Sequence, residues 1–306
     1  IAGFMAYDFF GGFNKSEENP YEYKLEAYLQ VDTNQISHEE IQQISVDIEM
    51  LRAVALDADD NIYVSGKNKL LIYNPQGQVL HEIPTEMEVF CMTISEEGKI
   101  FLGTRKMIWV YNLQGKLLDS WDIHDETCIL TSLAVDGQNL FLADAANKLV
   151  YRYNLKGEFL HEIGRKDESL GIEGFIIPSP YFDLAVGRDG ELWAVNSVRH
   201  QLESYDSDGR LISSWKKSSM GLDGFSGCCN PSHVALLSNG DFVTSEKGIE
   251  RIKISSPTGE FLSVVAPPDS FHKGTRGIDL AVDSKDRIIA IDPDQNLIRI
   301  FIHKEE

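Results

Sequence analysis

Asp183, His233 and Asp279 stand 50 and 46 residues apart in the C-terminal half of the chain. Two carboxylates and an imidazole can hold a cation, and an imidazole near a bound ion can serve as base toward a carbonyl compound polarised by that ion. His233 lies in GFSGCCNPSHVALL, Gly224 to Leu237, where the adjacent Cys228 and Cys229 precede a proline and an apolar run that reads as the start of a strand. A thiolate there would be a nucleophile. Yet no base neighbours either cysteine in the sequence, and two adjacent side chains cannot turn into one site without strain. Packing as small apolar residues, or a strained vicinal disulfide, accounts for the pair more simply. Cys91 and Cys128 add no CxxC pair and no zinc-finger spacing, so the cysteines leave the redox compartment open. No GxSxG elbow, Walker loop, HExxH or dinucleotide fingerprint occurs.

The elements that must position these groups follow from a repeat. Six copies begin AVALDADDNIYVSG, CMTISEEGKIFLGT, SLAVDGQNLFLAD, DLAVGRDGELWAVN, HVALLSNGDFVTSE and DLAVDSKDRIIAID, five with a second half of the type LLIYNPQGQVLHEI and the sixth with the shorter LIRIFIHKEE. Alternation at period two around Asp/Gly turns predicts antiparallel hairpins, four strands to a copy. Asp57, Ser95, Asp136, Gly187, Leu237 and Asp283 occupy equivalent places, 38, 41, 51, 50 and 46 residues apart. A four-stranded meander cannot bury both faces alone, so the copies are expected to pack around an axis as an all-β, six-bladed β-propeller of antiparallel blades.

The sixth copy stops after its third strand, which would leave an open sheet edge. Tyr21 to Asp32, YEYKLEAYLQVD, alternates like a strand and is expected to close the last blade. The following SHEEIQQISVDIEM reads equally as a short helix or an irregular strand entry. Residues 21–306 then form one domain, with repeats from about residue 51. Residues 1–20 are an N-terminal arm, or the remnant of a trimmed signal or of a membrane anchor in the precursor.

These copies resemble the NHL-repeat β-propellers, most clearly in LTSLAVDGQNLFLADAANKLVYRYNLKGEFLHEIG. IPSPYFDLAV, GFSGCCNPSHVALL, VTSEKGIERIKI and DLAVDSKDRIIAIDP resemble, more narrowly, a group of exported bacterial NHL-repeat proteins of unassigned activity. The resemblance implies the fold and a periplasmic or cell-envelope location, with the cytoplasm left open. Some members of the wider family bind proteins or RNA, and other six-bladed propellers are lyases or lactone hydrolases.

Aligning the copies places Ala53, Cys91, Ser132, Asp183, His233 and Asp279 in one ring, with Gly66, Thr104, Asp144, Asn196, Glu246 and Asp292 at the ends of the second strands on the same face. The NHL pattern has glycine at the ring position, so the ionisable residues of blades four to six depart from it. Asp183, His233, Asp279, Asn196, Glu246, Lys247 and Asp292 are the expected ligand-binding set, with Asp183, Asp279 and Glu246 as candidate metal ligands and His233 as candidate base. A divalent cation such as calcium is the cofactor such groups could hold. The second-strand carboxylates could instead cap their own loops. Three long connections, GRKDESLGIEGFIIPSP, KKSSMGLDGFSGCCNP and APPDSFHKGTRG, cross this face, and Lys247, Arg251, Arg199, Lys273 and Arg276 add cationic groups for an anion.

The chain carries 28 Lys and Arg against 48 Asp and Glu, a net charge of −20, which repels nucleic acid. The expected function is a non-enzymatic binding module or interaction scaffold that presents a loop-rich face with an acidic channel mouth to a small polar ligand or protein. A divalent-metal-dependent hydrolase or lyase with its site at the same mouth is the alternative.

Overall fold

The outer hairpin of the repeat turns on a motif that the sequence builds locally. In NLKGE the Asn154 side-chain oxygen accepts the N–H groups of Lys156 (2.9 Å) and Glu158 (3.0 Å), while Gly157 adopts φ 80°. Such a positive φ is cheap only for glycine. Asn74, Asn112 and Asp206 organise the corresponding turns of other blades in the same way.

The structure, a computed structural model, describes residues 26–304. Five four-stranded antiparallel sheets run in chain order: Glu49–Leu56 to Val79–Pro84, Cys91–Ile94 to Leu117–Asp122, Leu130–Asp136 to Phe159–Ile163, Leu184–Val186 to Leu211–Lys216, and His233–Leu236 to Phe261–Ala266. The sixth sheet combines Leu280–Val282, Ile288–Asp292 and Leu297–His303 with an N-terminal strand, His38–Ser45. First strands of consecutive blades touch in a closed ring, and that of blade six meets that of blade one. The protein is therefore a six-bladed β-propeller closed by an N-terminal strand. Among the described residues no helix is long and apolar enough to cross a membrane.

The closing strand is not the one expected. His38–Ser45 pairs antiparallel with Leu297–His303, placing His38 opposite His303 and Ser45 opposite Leu297. Of the Tyr21–Asp32 segment, Glu26–Leu29 forms a single helical turn, and residues 21–25, like the arm at 1–20, lie outside the described residues. The physical reason lies in what HEEIQQIS can pack against. Ile44, with Val46 just beyond the strand, enters the apolar cluster that holds Ile298 and Ile300, and Glu40 forms a two-pronged pair with Arg299 at 2.8 and 2.7 Å.

Six apolar clusters hold the fold together, each between two neighbouring blades. The turn glycines are also points of contact between blades. A Cβ on Gly157 would stand 2.5 Å from the Trp121 ring of the preceding blade. Trp215 covers Gly259 of the next blade in the same manner, and Ile44 covers Gly77 of blade one. That last contact gives the N-terminal strand the role that the outer strands of blades one to four play through Ile83, Trp121, Ile163 and Trp215.

Candidate functional site

Because first strands line the axis, the residues at their entry converge on one mouth. Their polar side chains turn sideways to the next blade. Ser132 Oγ accepts the Leu184 N–H (3.2 Å), Asp183 Oδ2 that of Val234 (2.8 Å), and Asp279 Oδ2 that of Val54 (2.9 Å). The last of these crosses the seam from blade six to blade one. One function of the ring is thus to satisfy backbone donors that period-two pairing leaves over.

His233 stands between the two aspartates. Its Nδ1 lies 3.3 Å from Asp279 Oδ1 and 3.7 Å from Asp183 Oδ2, with side-chain exposures of 14% for His233, 10% for Asp183 and 18% for Asp279. Neither contact is aligned as a hydrogen bond, and both ring nitrogens are buried without a hydrogen-bond partner. Burial opposes the charged ring, but the two carboxylates outweigh it and lift His233 to about 10. An imidazole held protonated in this way is a donor at neutral pH, not the base expected from the sequence.

Above the trio opens a cavity of about 600 Å³, and below it the axial channel holds a further 310 Å³ or so, with His233 lining both. All three long connections or their ends reach this region. Pro178, Ser179 and Pro180 line the cavity from the first, Arg276 and Gly277 from the third, and the second places Cys228 and Cys229 beside Ser179. The walls are largely apolar or aromatic, among them Leu51, Phe90, Ile129 and Tyr181. Among the described residues no Asp or Glu lines this cavity; Arg52, Arg105 and Arg276 do. The acidic mouth expected from the sequence is therefore a buried acidic pair beneath a cationic rim. Arg52 is stacked over Phe90 at 5.1 Å and paired with Glu88 at 2.5 Å. Arg105 and Arg276 are exposed and have no hydrogen-bond or ion-pair partner among the described residues.

Three residues of the expected set do not reach the mouth. Asn196 accepts the Ile176 N–H (3.0 Å) and donates to Gly174 O and Glu203. Asp292 is occupied with the Gln295 backbone and side chain. Glu246 is fully buried against Arg251 (2.7 Å) and Lys253 (3.0 Å). The reason is strand alternation: Ser245, not Glu246, lies opposite His233 in the pairing register. Arg251 and Lys253 in turn bind the carbonyls of Gly221, Leu222 and Gly224, so this network anchors the loop that carries the cysteines. Asp144 caps its own loop by accepting from Ile129, Ala146 and Asn147. Arg199 is paired with Glu173, whereas Lys247 sits over the Tyr181 ring at 4.5 Å. Arg105 was not among the expected residues. Its signal is the cation that follows Thr104 at the end of a second strand, in a blade with no long loop.

Asp183, His233 and Asp279 can each offer one ligand atom, all within 4.8 Å of one another. Ligands at ~2.1 Å around a tetrahedral ion stand ~3.4 Å apart, and separations of 3.3 and 3.7 Å fit that geometry. Calcium, which takes about six to eight oxygens, is served less well by two carboxylates and an imidazole. Glu246 is excluded from any such site by its buried ion pairs.

No protein-family model matches the chain, and no curated protein matches its sequence. Solved structures do match. Virginiamycin B lyase from Staphylococcus aureus superposes with a TM-score of 0.60 at 14% identity, over 87% of this chain and 100% of the other. A streptogramin B lyase gives 0.57 at 11% identity, over 87% and 98%. The WD40 β-propeller domain of Doa1 gives 0.58 at 18% identity, over 83% and 79%. The likeness is one of propeller fold. At these identities it extends no further, and the functional reading rests on the mouth itself.

Proposed function

We propose that this propeller is a binding module whose mouth takes a small ligand with an anionic group, such as a carboxylate, on an apolar or aromatic body. The observation that carries this reading is the pair of guanidinium groups, Arg105 and Arg276, unpartnered among the described residues, at the rim of an otherwise largely apolar cavity of about 600 Å³. A guanidinium grips a carboxylate with two parallel hydrogen bonds, and a few polar groups in an apolar pocket set orientation. Titration calorimetry with aromatic carboxylates and their uncharged amides tests it. The carboxylates should bind, the amides at least ten-fold more weakly, and Arg105→Gln or Arg276→Gln should erase the difference. Equal binding of acid and amide would refute the reading.

A second reading is supported by the ligand spacing of the trio. A zinc-like ion held by Asp183, His233 and Asp279 would supply a Lewis acid at the floor of the same cavity, as a metal-dependent lyase or hydrolase requires. Two of the similar folds are lyases, which supports this reading by analogy of fold alone.

A further inference from the structure

The adjacent cysteines are held in a setting that packing does not require. Cys228 and Cys229 are free thiols with sulfurs 3.2 Å apart, the first exposed and the second buried. The Ser179 hydroxyl donates to Cys229 Sγ at 2.9 Å. The Lys247 ammonium, seated over Tyr181, acts on the same sulfur. Lys247 is itself fixed by Asn230, whose side chain accepts its N–H (3.0 Å), donates to its carbonyl (3.0 Å) and also donates to Ser226 O (2.8 Å). Burial works against a Cys229 thiolate, but Ser179, Cys228 and Lys247 together bring its pKa down, while Cys228 is raised by hydrogen bonding to its neighbour. The pair therefore releases one proton readily and keeps the other.

Such a pair suits an electrophile better than a metal. Two thiolates on zinc at ~2.3 Å stand ~3.8 Å apart, wider than the 3.2 Å here, and an ammonium ion beside the sulfurs repels a cation while stabilising a thiolate. An exposed sulfur in contact with a buried one is also the arrangement that exchange needs, with one thiol to attack and a second to resolve.

We propose that Cys228 and Cys229 form a dithiol–disulfide exchange site at the mouth, with a small-molecule disulfide as its oxidising substrate. The proton that Cys228 keeps passes across the 3.2 Å contact to the Cys229 thiolate as the exposed Cys228 sulfur attacks one sulfur of the external disulfide. That S–S bond breaks, and the departing thiolate leaves with the electron pair and takes the proton of Cys229. Cys229, now a thiolate beside Ser179 and Lys247, attacks Cys228 Sγ and expels the second small thiolate, which takes a proton from water. The two protein sulfurs are oxidised to one disulfide and the external disulfide is reduced to two thiols.

Oxidised glutathione is the probe, and intact mass after acid quench is the readout, which needs no cavity ligand. The wild-type chain should lose the mass of two hydrogen atoms without keeping an adduct, and peptide mapping should place the bond between residues 228 and 229. Cys229→Ser should accumulate one glutathione on Cys228, Cys228→Ser should stay unmodified, and Lys247→Met should slow the reaction about ten-fold at neutral pH. A stable adduct on the wild-type chain, oxidation by peroxide but not by the disulfide, or a rate indifferent to Lys247 would each overturn the proposal.

Discussion

Asp279 joins two parts of the molecule at once: one carboxylate oxygen lies 3.3 Å from His233 Nδ1 in the next-to-last blade, and the other accepts the Val54 N–H of the first blade at 2.9 Å. The charge at the floor of the mouth and the inner seam of the ring therefore share a side chain. Asp279→Ala should remove both contacts, leave a buried N–H without a partner and cost about 1–3 kcal/mol in denaturant unfolding. Asp279→Asn can keep the backbone contact, so it should cost less than the alanine change. Equal midpoints for Asp279→Ala and wild type would count against this role.

His233 should titrate near 10 in NMR of the native protein, against an ordinary value of 6.5. A raised folded pKa stabilises the fold fully below the unfolded value, and that contribution is lost as pH climbs through the folded one. Stability should thus decline between about pH 6.5 and 10, and replacing both Asp183 and Asp279 by Asn should remove this decline. A wild-type imidazole that titrates near 6.5 would contradict the trio's geometry.

If a metal holds the trio instead of a proton, zinc must bind the folded state and raise its stability, by about 2.7 kcal/mol at one hundred times its dissociation constant. The melting temperature should rise with zinc more than with calcium, and Asp183→Asn should abolish the response. No response to zinc, manganese or magnesium in wild type would remove the metal-dependent reading and leave the anion-binding one untouched.

Acid should open the outer seam. Burial, with the neighbouring His303 and Lys304, brings His38 down to about 4, so its neutral form is favoured in the fold. That contribution is complete above pH 6.5 and is lost as pH falls toward 4, on the order of 3 kcal/mol in all. His38→Gln should flatten the pH dependence of unfolding across this window. An unchanged profile would show that the strand pairing does not sense this imidazole.

The interblade glycines give a steric prediction. Gly157→Ala would force a residue at φ 80° against the Trp121 ring, costing about 2 kcal/mol or more. Gly137→Ala has a positive φ of 51° but open space around it, and should cost less. Equal losses in thermal unfolding would mean that strain alone, not Trp121, sets the cost.

The parts of the fold that were legible in the sequence are those whose causes are local. Period-two alternation and turns such as NLKGE announce hairpins wherever they stand, and aligning the copies places Asp183, His233 and Asp279 in one ring. HEEIQQIS, by contrast, becomes a strand because Arg299 and Ile298 receive it, partners far along the chain that no window of sequence contains. Asn196, Glu246 and Asp292 went astray by one residue of strand phase, since the alignment marks a strand's end but not which way its side chain turns. Arg105 and Ser179 could not be seen as neighbours of the trio until the ring closed. The tuning of Cys229 by Ser179 and Lys247 was hidden for the same reason.

Glu40 and Arg299, whose pair ties the closing strand, are 259 positions apart. A ribosome must therefore release Arg299, with all six first strands behind it, before the sheet edge of the last blade can be covered. Until then the blades form an open arc with apolar faces at both ends, and the entropy of bringing those ends together falls on the final step of folding. Once made, the same joint should govern how slowly the native state comes apart, because leaving the ring means breaking it at the seam first.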